Sequence, residues 1–262
     1  MNEDSGGRHI EGGSLMQESP SENRAAPALY LVATPIGNLG DMSYRAVEVL
    51  KSVDLIACED TRHSRILLQH YGIHKPLESF FNFSEKRKTP RLIEKIKQGT
   101  RVAVISDAGT PGISDPGFPL IHEAIRQGIV FEAIPGPAAF LQALVLSGLP
   151  MDKFIFEGFF PVKDGPRRRL LESLKSETRT VIFYESPYRL LKSLTAIREV
   201  LGDVPVVVAR ELTKKFEEVL RAPVSRQLEI FSAKKILGEF VILFNLSFDC
   251  PDGTIPESGP PV

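Results

Sequence analysis

The chain has 262 residues, room for one large domain or two modest ones, and its 42% hydrophobic and 25% charged residues describe an ordinary globular protein. A formal net charge of −1 excludes attraction of the molecule as a whole to nucleic acid or anionic membrane, so any such partner must meet a local patch. Two cysteines, Cys58 in an apolar run and Cys250 in a polar one, exclude a multi-cysteine zinc site and fit a reducing, cytoplasmic setting.

Residues 1–27 are rich in Gly, Ser, Glu and Asn without an apolar core, which predicts a disordered leader and not a signal peptide. From Leu29 onward, apolar β-rich runs alternate with amphipathic ones. Strands are expected at 29–33, 54–58, 77–81, 101–106 and 130–134, with helices at 43–52, 62–71, 84–98 and 117–127. Short, nearly all-apolar strands joined by helices specify a parallel sheet covered on both faces, an α/β fold. A further helix from Pro137 stops at Ser147-Gly148-Leu149-Pro150, which sets a domain boundary near 148–152. This most apolar run is too short to span a bilayer, so no membrane partner is expected. His70 and His74 are interrupted by Gly72, no HExxH occurs, and no metal site is expected.

The second unit, 150–246, carries strand candidates at 154–159, 180–184, 205–209, 216–221 and 239–245. Only a few residues, Glu211 to Lys215, join the third and fourth, too few for a parallel crossover. An antiparallel pair and a mixed sheet follow. The tail from 247, with Pro251, Gly253, Pro256 and Pro260, reads as disordered.

The unusual residues fall at strand ends, where open α/β sheets bind ligands. Thr34-Pro35-Ile36-Gly37-Asn38 follows the first strand, and Glu59-Asp60-Thr61-Arg62 the second. Residues 105–119, ISDAGTPGISDPGFP, follow the fourth, with three glycines and three prolines. Pro135-Gly136-Pro137 follows the fifth. No GxGxxG or GxxxxGK[ST] is present, and each proline removes an N–H donor. Such loops suit close approach to a ligand of donor and positive character better than a polyphosphate. Asp60 is explained as a helix cap. Glu59, Glu185 and Glu211 are not, since a strand end is a costly place for an unpaired carboxylate.

TPIGN, CEDTR, SDAGTP, SDPG, PGP, FYES with Arg189 after it, and ARELTK stand in the order found in the bacterial small-subunit ribosomal RNA methyltransferase I family. The resemblance runs from about Leu29 to Asn245. It implies two α/β/α domains of the tetrapyrrole-methylase type, a homodimer, and S-adenosylmethionine in the cleft between domains. It also implies 2′-O-methylation of a cytidine in the decoding region of 16S rRNA, on a 30S subunit. The implied cofactor pocket comprises Thr34, Pro35, Gly37 and Asn38; Asp107, Ala108, Gly109, Thr110 and Pro111; Pro135, Gly136, Pro137 and Ala138; and Phe156, Glu157, Gly158 and Phe159.

A ribose hydroxyl is a poor nucleophile, and a nearby group that accepts its proton is worth ~10²–10⁴-fold. Glu59 and Glu185 lead the candidates with Glu211 behind, and Lys214 is placed to orient the neighbouring phosphate. RNA needs local positive surface. Arg62, the run Lys86-Arg87-Lys88, and Arg167-Arg168-Arg169 are the candidate contacts. A solvated helix face explains the first run equally well. Three arginines at a helix start oppose the macrodipole, which favours phosphate contact for the second. Methylation of a corrin or porphyrin precursor, and a catalytically silent assembly factor, are the competing readings.

Overall fold

A computed structural model describes residues 26–248. The leader and most of the tail expected to be disordered lie outside the described residues. Five short strands, β1 (Leu29–Val32), β2 (Leu55–Cys58), β3 (Leu77–Ser79), β4 (Val102–Ile105) and β5 (Phe131–Ile134), form one sheet in the order β3-β2-β4-β1-β5. Every pairing is parallel. All residues of β2 and β4 are buried, as strands covered on both faces require.

Helices α1 (Tyr44–Ser52) and α2 (Thr61–His70) cover one face, where Ala46, Leu50 and Leu68 pack on Val32, Ile56 and Ile105. Helices α3 (Asn82–Lys97) and α4 (Phe118–Arg126) cover the other through Leu92, Ile96 and Leu120. Each such fully buried aliphatic side chain contributes about 1.5–3 kcal/mol. The starts of α1 and α2 are fixed by local caps. Ser43 Oγ accepts from Ala46 N–H at 3.1 Å, and Asp60 Oδ1 accepts from Arg62 N–H at 2.8 Å.

The second sheet, β6 (Phe154–Phe159), β7 (Thr180–Glu185), β8 (Pro205–Arg210), β9 (Glu218–Pro223) and β10 (Phe240–Phe244), runs β6-β7-β10-β8-β9. Only β6 and β7 pair in parallel; the remaining three pairings are antiparallel. The expected mixed sheet and the β8–β9 hairpin are both present. Helices α6 (Asp164–Ser173), α7 (Leu190–Leu201) and α8 (Val224–Ser232) pack on one face around Phe183, Leu194, Phe231 and Phe244.

The other face is covered by α5 (Ala139–Ser147), with Ala143 and Leu144 against Ile182, Val207 and Leu243. So α5, though it precedes the 148–152 segment, packs with the second sheet. The chain crosses between sheets at the Pro135-Gly136-Pro137 turn. Ile36, from the loop after β1, joins the same cluster. That one side chain ties the first sheet's ligand edge to the second sheet.

Candidate active site between the two sheets

The connection leaving β2 runs outward to β3, whereas the connection leaving β4 runs the opposite way to β5. Adjacent strands whose connections diverge open a crevice at their carboxyl ends. Glu59 follows β2 and Ser106-Asp107 follows β4. The two strand ends are joined by the Asp60 N–H, which donates to Asp107 Oδ1 at 3.1 Å.

The remaining loops are tied into the same edge. Thr34 and Gly109 exchange backbone bonds, Thr34 N–H to Gly109 O at 2.9 Å and Gly109 N–H to Thr34 O at 3.0 Å. The Thr34 hydroxyl donates to Ser106 O at 3.0 Å, and that of Thr110 to Pro137 O at 3.3 Å. Gly136 lies so close to β1 that a Cβ there would stand 2.8 Å from Ala33 Cβ. The structure thus brings 34–38, 107–111 and 135–138 onto one surface.

The second sheet supplies the facing wall. Lys214 lays its aliphatic stem across Gly37, where any Cβ would overlap Lys214 Cγ. The Phe140 N–H donates to Tyr184 Oη at 3.3 Å. Phe156 stacks on Phe140 with ring centres 4.5 Å apart, and Phe159 meets Tyr184 edge-on at 5.5 Å. Phe159 is 53% exposed despite its size. Glu157 is exposed beside it. A bulge in β6 at Gly158 faces Ser114, whose Oγ would lie 3.6 Å from a Cβ on that glycine. Among the described residues, three non-glycine residues have positive φ: Ser114 (64°), Glu211 (50°) and Thr213 (65°). All three belong to the cleft loops, and each costs of order 1–3 kcal/mol. The β-branched Thr213 is the strongest outlier.

Carboxylates converge on this cleft. Burial and the neighbouring Asp107 charge raise the Glu59 carboxyl above its usual range. Asp115 is pushed up to about 7, by burial first and then by Glu59, Asp107 and Glu239. Burial carries the Tyr184 phenol up to about 12, with Asp115 and Glu239 adding to it. Asp115, Tyr184 and Glu239 were missed in the sequence. Asp115 sits in SDPG, whose Pro-Gly pair reads as a turn, and only its proximity to Glu59 shows it to be more.

Lys214 Nζ lies 3.0 Å from Glu211 Oε1 and 2.7 Å from Glu239 Oε2. Burial pulls the ammonium down, but the two carboxylates outweigh it and hold it above its ordinary value. For Glu211 burial pushes up, and the bonds from Lys214 and from Glu239 N–H outweigh it, leaving the carboxyl low. Glu211 is therefore an anchor for the strained 211–214 turn and is in no state to take a proton.

Glu185 does not face the cleft. Its side chain is 0% exposed and 3.0 Å from Arg189 Nη2, and it accepts from Ser186 N–H at 2.7 Å and from the Ser193 hydroxyl. Both carboxylate oxygens have partners, so Glu185 fastens β7 to the start of α7. The arginine run also divides. Arg167 is 3% exposed and donates to Val162 O at 3.1 Å, because α6 turns that position onto the core. Arg168 is held by Asp164 at 2.8 Å and by Glu199. Only Arg169 is left facing solvent. The macrodipole argument failed because Asp164, in the first turn, offsets the cations. Arg62 is exposed and paired with Asp60 at 2.9 Å. Lys86 and Arg87 face solvent on α3, while Lys88 bonds Ser79 O and sits 5.9 Å over the Phe81 ring. No metal-binding cluster of three or more His, Cys, Asp or Glu occurs among the described residues.

Residues 28–226 match the family model of tetrapyrrole (corrin/porphyrin) methylases. The chain is 48% identical over 217 residues to ribosomal RNA small subunit methyltransferase I of Thermotoga maritima, covering 83% of this chain and 97% of that one. The same protein of Escherichia coli O157:H7 is 48% identical over 81% of this chain and 75% of its own. The chain belongs to the ribosomal RNA small subunit methyltransferase I family. Solved structures agree on the fold of this family. Diphthine synthase superposes with a TM-score of 0.67 at 14% identity, over 83% of this chain and 88% of its own. A uroporphyrin-III-C-methyltransferase from Thermus thermophilus superposes at 0.59 and 19%, over 84% and 94%. As a member of the ribosomal RNA small subunit methyltransferase I family the chain is a methyltransferase.

Proposed function

We propose that this cleft transfers the methyl group of S-adenosylmethionine to the 2′-hydroxyl of a cytidine ribose in the decoding region of 16S rRNA, acting on the 30S subunit as a cytoplasmic homodimer. The relatives' shared name supports ribosomal RNA of the small subunit as substrate. The donor set supports the cofactor. Backbone loops short of N–H groups, a cluster of carboxylates and the faces of Phe156, Phe159 and Tyr184 suit a cationic sulfonium with an ammonium group, and would repel a polyphosphate. Thr34 to Asn38, Asp107 to Pro111 and Pro135 to Ala138 would hold it from below, and the β6 bulge from above.

When bound, S-adenosylmethionine supplies a methyl carbon on a cationic sulfur that an oxygen displaces in line. The chain's own task is to align that oxygen, shed water and take its proton. Asp115, paired electrostatically with Glu59, is the group we assign to accept it. Two carboxylates in one half-buried site cannot both ionise freely, so one is left with an affinity for protons matched to neutral pH. Lys214, fixed by Glu211 and Glu239, orients the second wall over Gly37. The convergence of Glu59, Asp107 and Asp115 beside the Pro/Gly loops is the observation that carries this reading.

The test is incubation with tritiated S-adenosylmethionine and 30S subunits lacking the modification. Label recovered in 16S RNA supports the reading. Cofactor binding by calorimetry without label in RNA, but with label in a porphyrin precursor, would replace it by the tetrapyrrole alternative. Absence of cofactor binding would leave only a silent assembly factor.

A further inference from the structure

Outside the cleft, a groove of about 680 Å³ lies between α2 and the segment leading into the edge strand β3. That volume lies within the ~300–1,000 Å³ of sites that hold nucleotide-sized ligands. Its rim carries Arg65, Gln69, His74 and Lys75, and its floor includes the buried Leu68 and Ile73. No acidic side chain lines it.

Several basic residues around this groove are already paired: Arg45, Arg62 and Arg101 each have a carboxylate within ion-pair distance. Among the described residues Arg65, His74 and Lys75 have none. Lys75 acts coulombically on Asp54, but that carboxyl is already bonded to Arg101. Donors without acceptors around an apolar floor fit a ligand with anionic oxygens and a flat or sugar-like body.

We propose that this groove is an RNA-docking subsite that takes the single strand flanking the target nucleotide, with Arg65 and Lys75 on phosphates and Gln69 and His74 on sugar or base edges. This rests on the reading of RNA as substrate. Position supports it: the groove follows α2, about 15 Å long, and its Thr61 end lies two residues from Glu59. A strand lying there leads directly to the carboxylate cluster. The arginine run at 167–169, largely buried or paired, leaves this patch as the better-supplied cationic surface near the cleft.

The experiment uses the full chain and a fluorescent single-stranded RNA of decoding-region sequence, measured by anisotropy across a salt series. The variant Arg65→Glu/Lys75→Glu should weaken binding tenfold or more. It should also lower the salt slope by about 1.4, the value for two single-strand phosphate contacts, and raise KM for 30S subunits, with calorimetric affinity for S-adenosylmethionine unchanged. Gln69→Glu, at an exposed helix position, repeats the test where the double variant folds poorly, and should weaken RNA binding with a smaller slope change. Unchanged RNA affinity and KM in either folded variant would overturn the proposal, as would loss of a dimer in the double variant at constant RNA affinity, which would make the groove a subunit contact. A wild-type chain that binds cofactor but labels no RNA would instead overturn the substrate reading beneath it.

Discussion

Asp115→Asn removes a carboxyl that burial and the neighbouring charges of Glu59, Asp107 and Glu239 hold protonated up to near neutrality. In the native protein this group binds its proton up to about pH 7, against 3.8 for an ordinary aspartate. Native protein therefore holds a proton that unfolded chain has lost, and stability contributed by the group is full below pH 3.8 and falls as pH rises through 7. Between pH 5 and pH 7 the loss is about two units, or roughly 2.7 kcal/mol at 1.36 kcal/mol per unit. Solvent reaching the half-buried side chain reduces that to about 1–2 kcal/mol. Asparagine cannot ionise. Urea unfolding of wild type and variant at pH 5 and pH 8 should show the variant gaining about 1–2 kcal/mol relative to wild type at the higher pH. Methyl transfer in wild type should rise with pH around 7, and in the variant should drop ~10²-fold or more. Parallel pH–stability curves for the two proteins would refute the placement of Asp115 among Glu59, Asp107 and Glu239.

Glu185→Gln should cost about 3–5 kcal/mol by leaving the Arg189 guanidinium without its carboxylate, read as a lower Tm, with cofactor affinity at low temperature retained. Gly37→Ala should cost about 1–3 kcal/mol by driving Lys214 and Thr213 off the loop, and should weaken S-adenosylmethionine binding in calorimetry. Arg167→Ala should lower stability by about 1–3 kcal/mol in urea without changing the salt slope of RNA binding; a lowered slope would return that arginine to the RNA surface.

The strands were legible because residues such as Val102 to Ile105 are apolar without alternation, and only a sheet buried on both faces produces that pattern. The β8–β9 hairpin was legible from loop length alone. What the sequence hid was long-range. Helix α5 follows directly on the first sheet in chain order, and nothing in its composition tells which sheet its uniformly apolar surface will cover. Glu185 and Asp115 were exchanged for the same reason. One ends a strand and the other lies in a loop, and only the fold places Ser193 and Arg189 around Glu185 and Glu59 around Asp115. Arg167 was misjudged because the macrodipole reading treated the three arginines alike, whereas α6 turns Arg167 onto the core. The loops at 34–38, 107–111 and 135–138 were legible as unusual because each carries its own backbone constraint, visible in Pro and Gly without a tertiary contact.

The central claim is transfer to a ribose oxygen, and the modified nucleoside itself tests it most directly. After reaction with 30S subunits, 16S RNA is digested to nucleosides and the methylated product identified by mass spectrometry. The account predicts 2′-O-methylcytidine from a single decoding-region position, with the methyl mass on the sugar fragment. Methyl mass on the base fragment would contradict it, and with it the role given to Asp115.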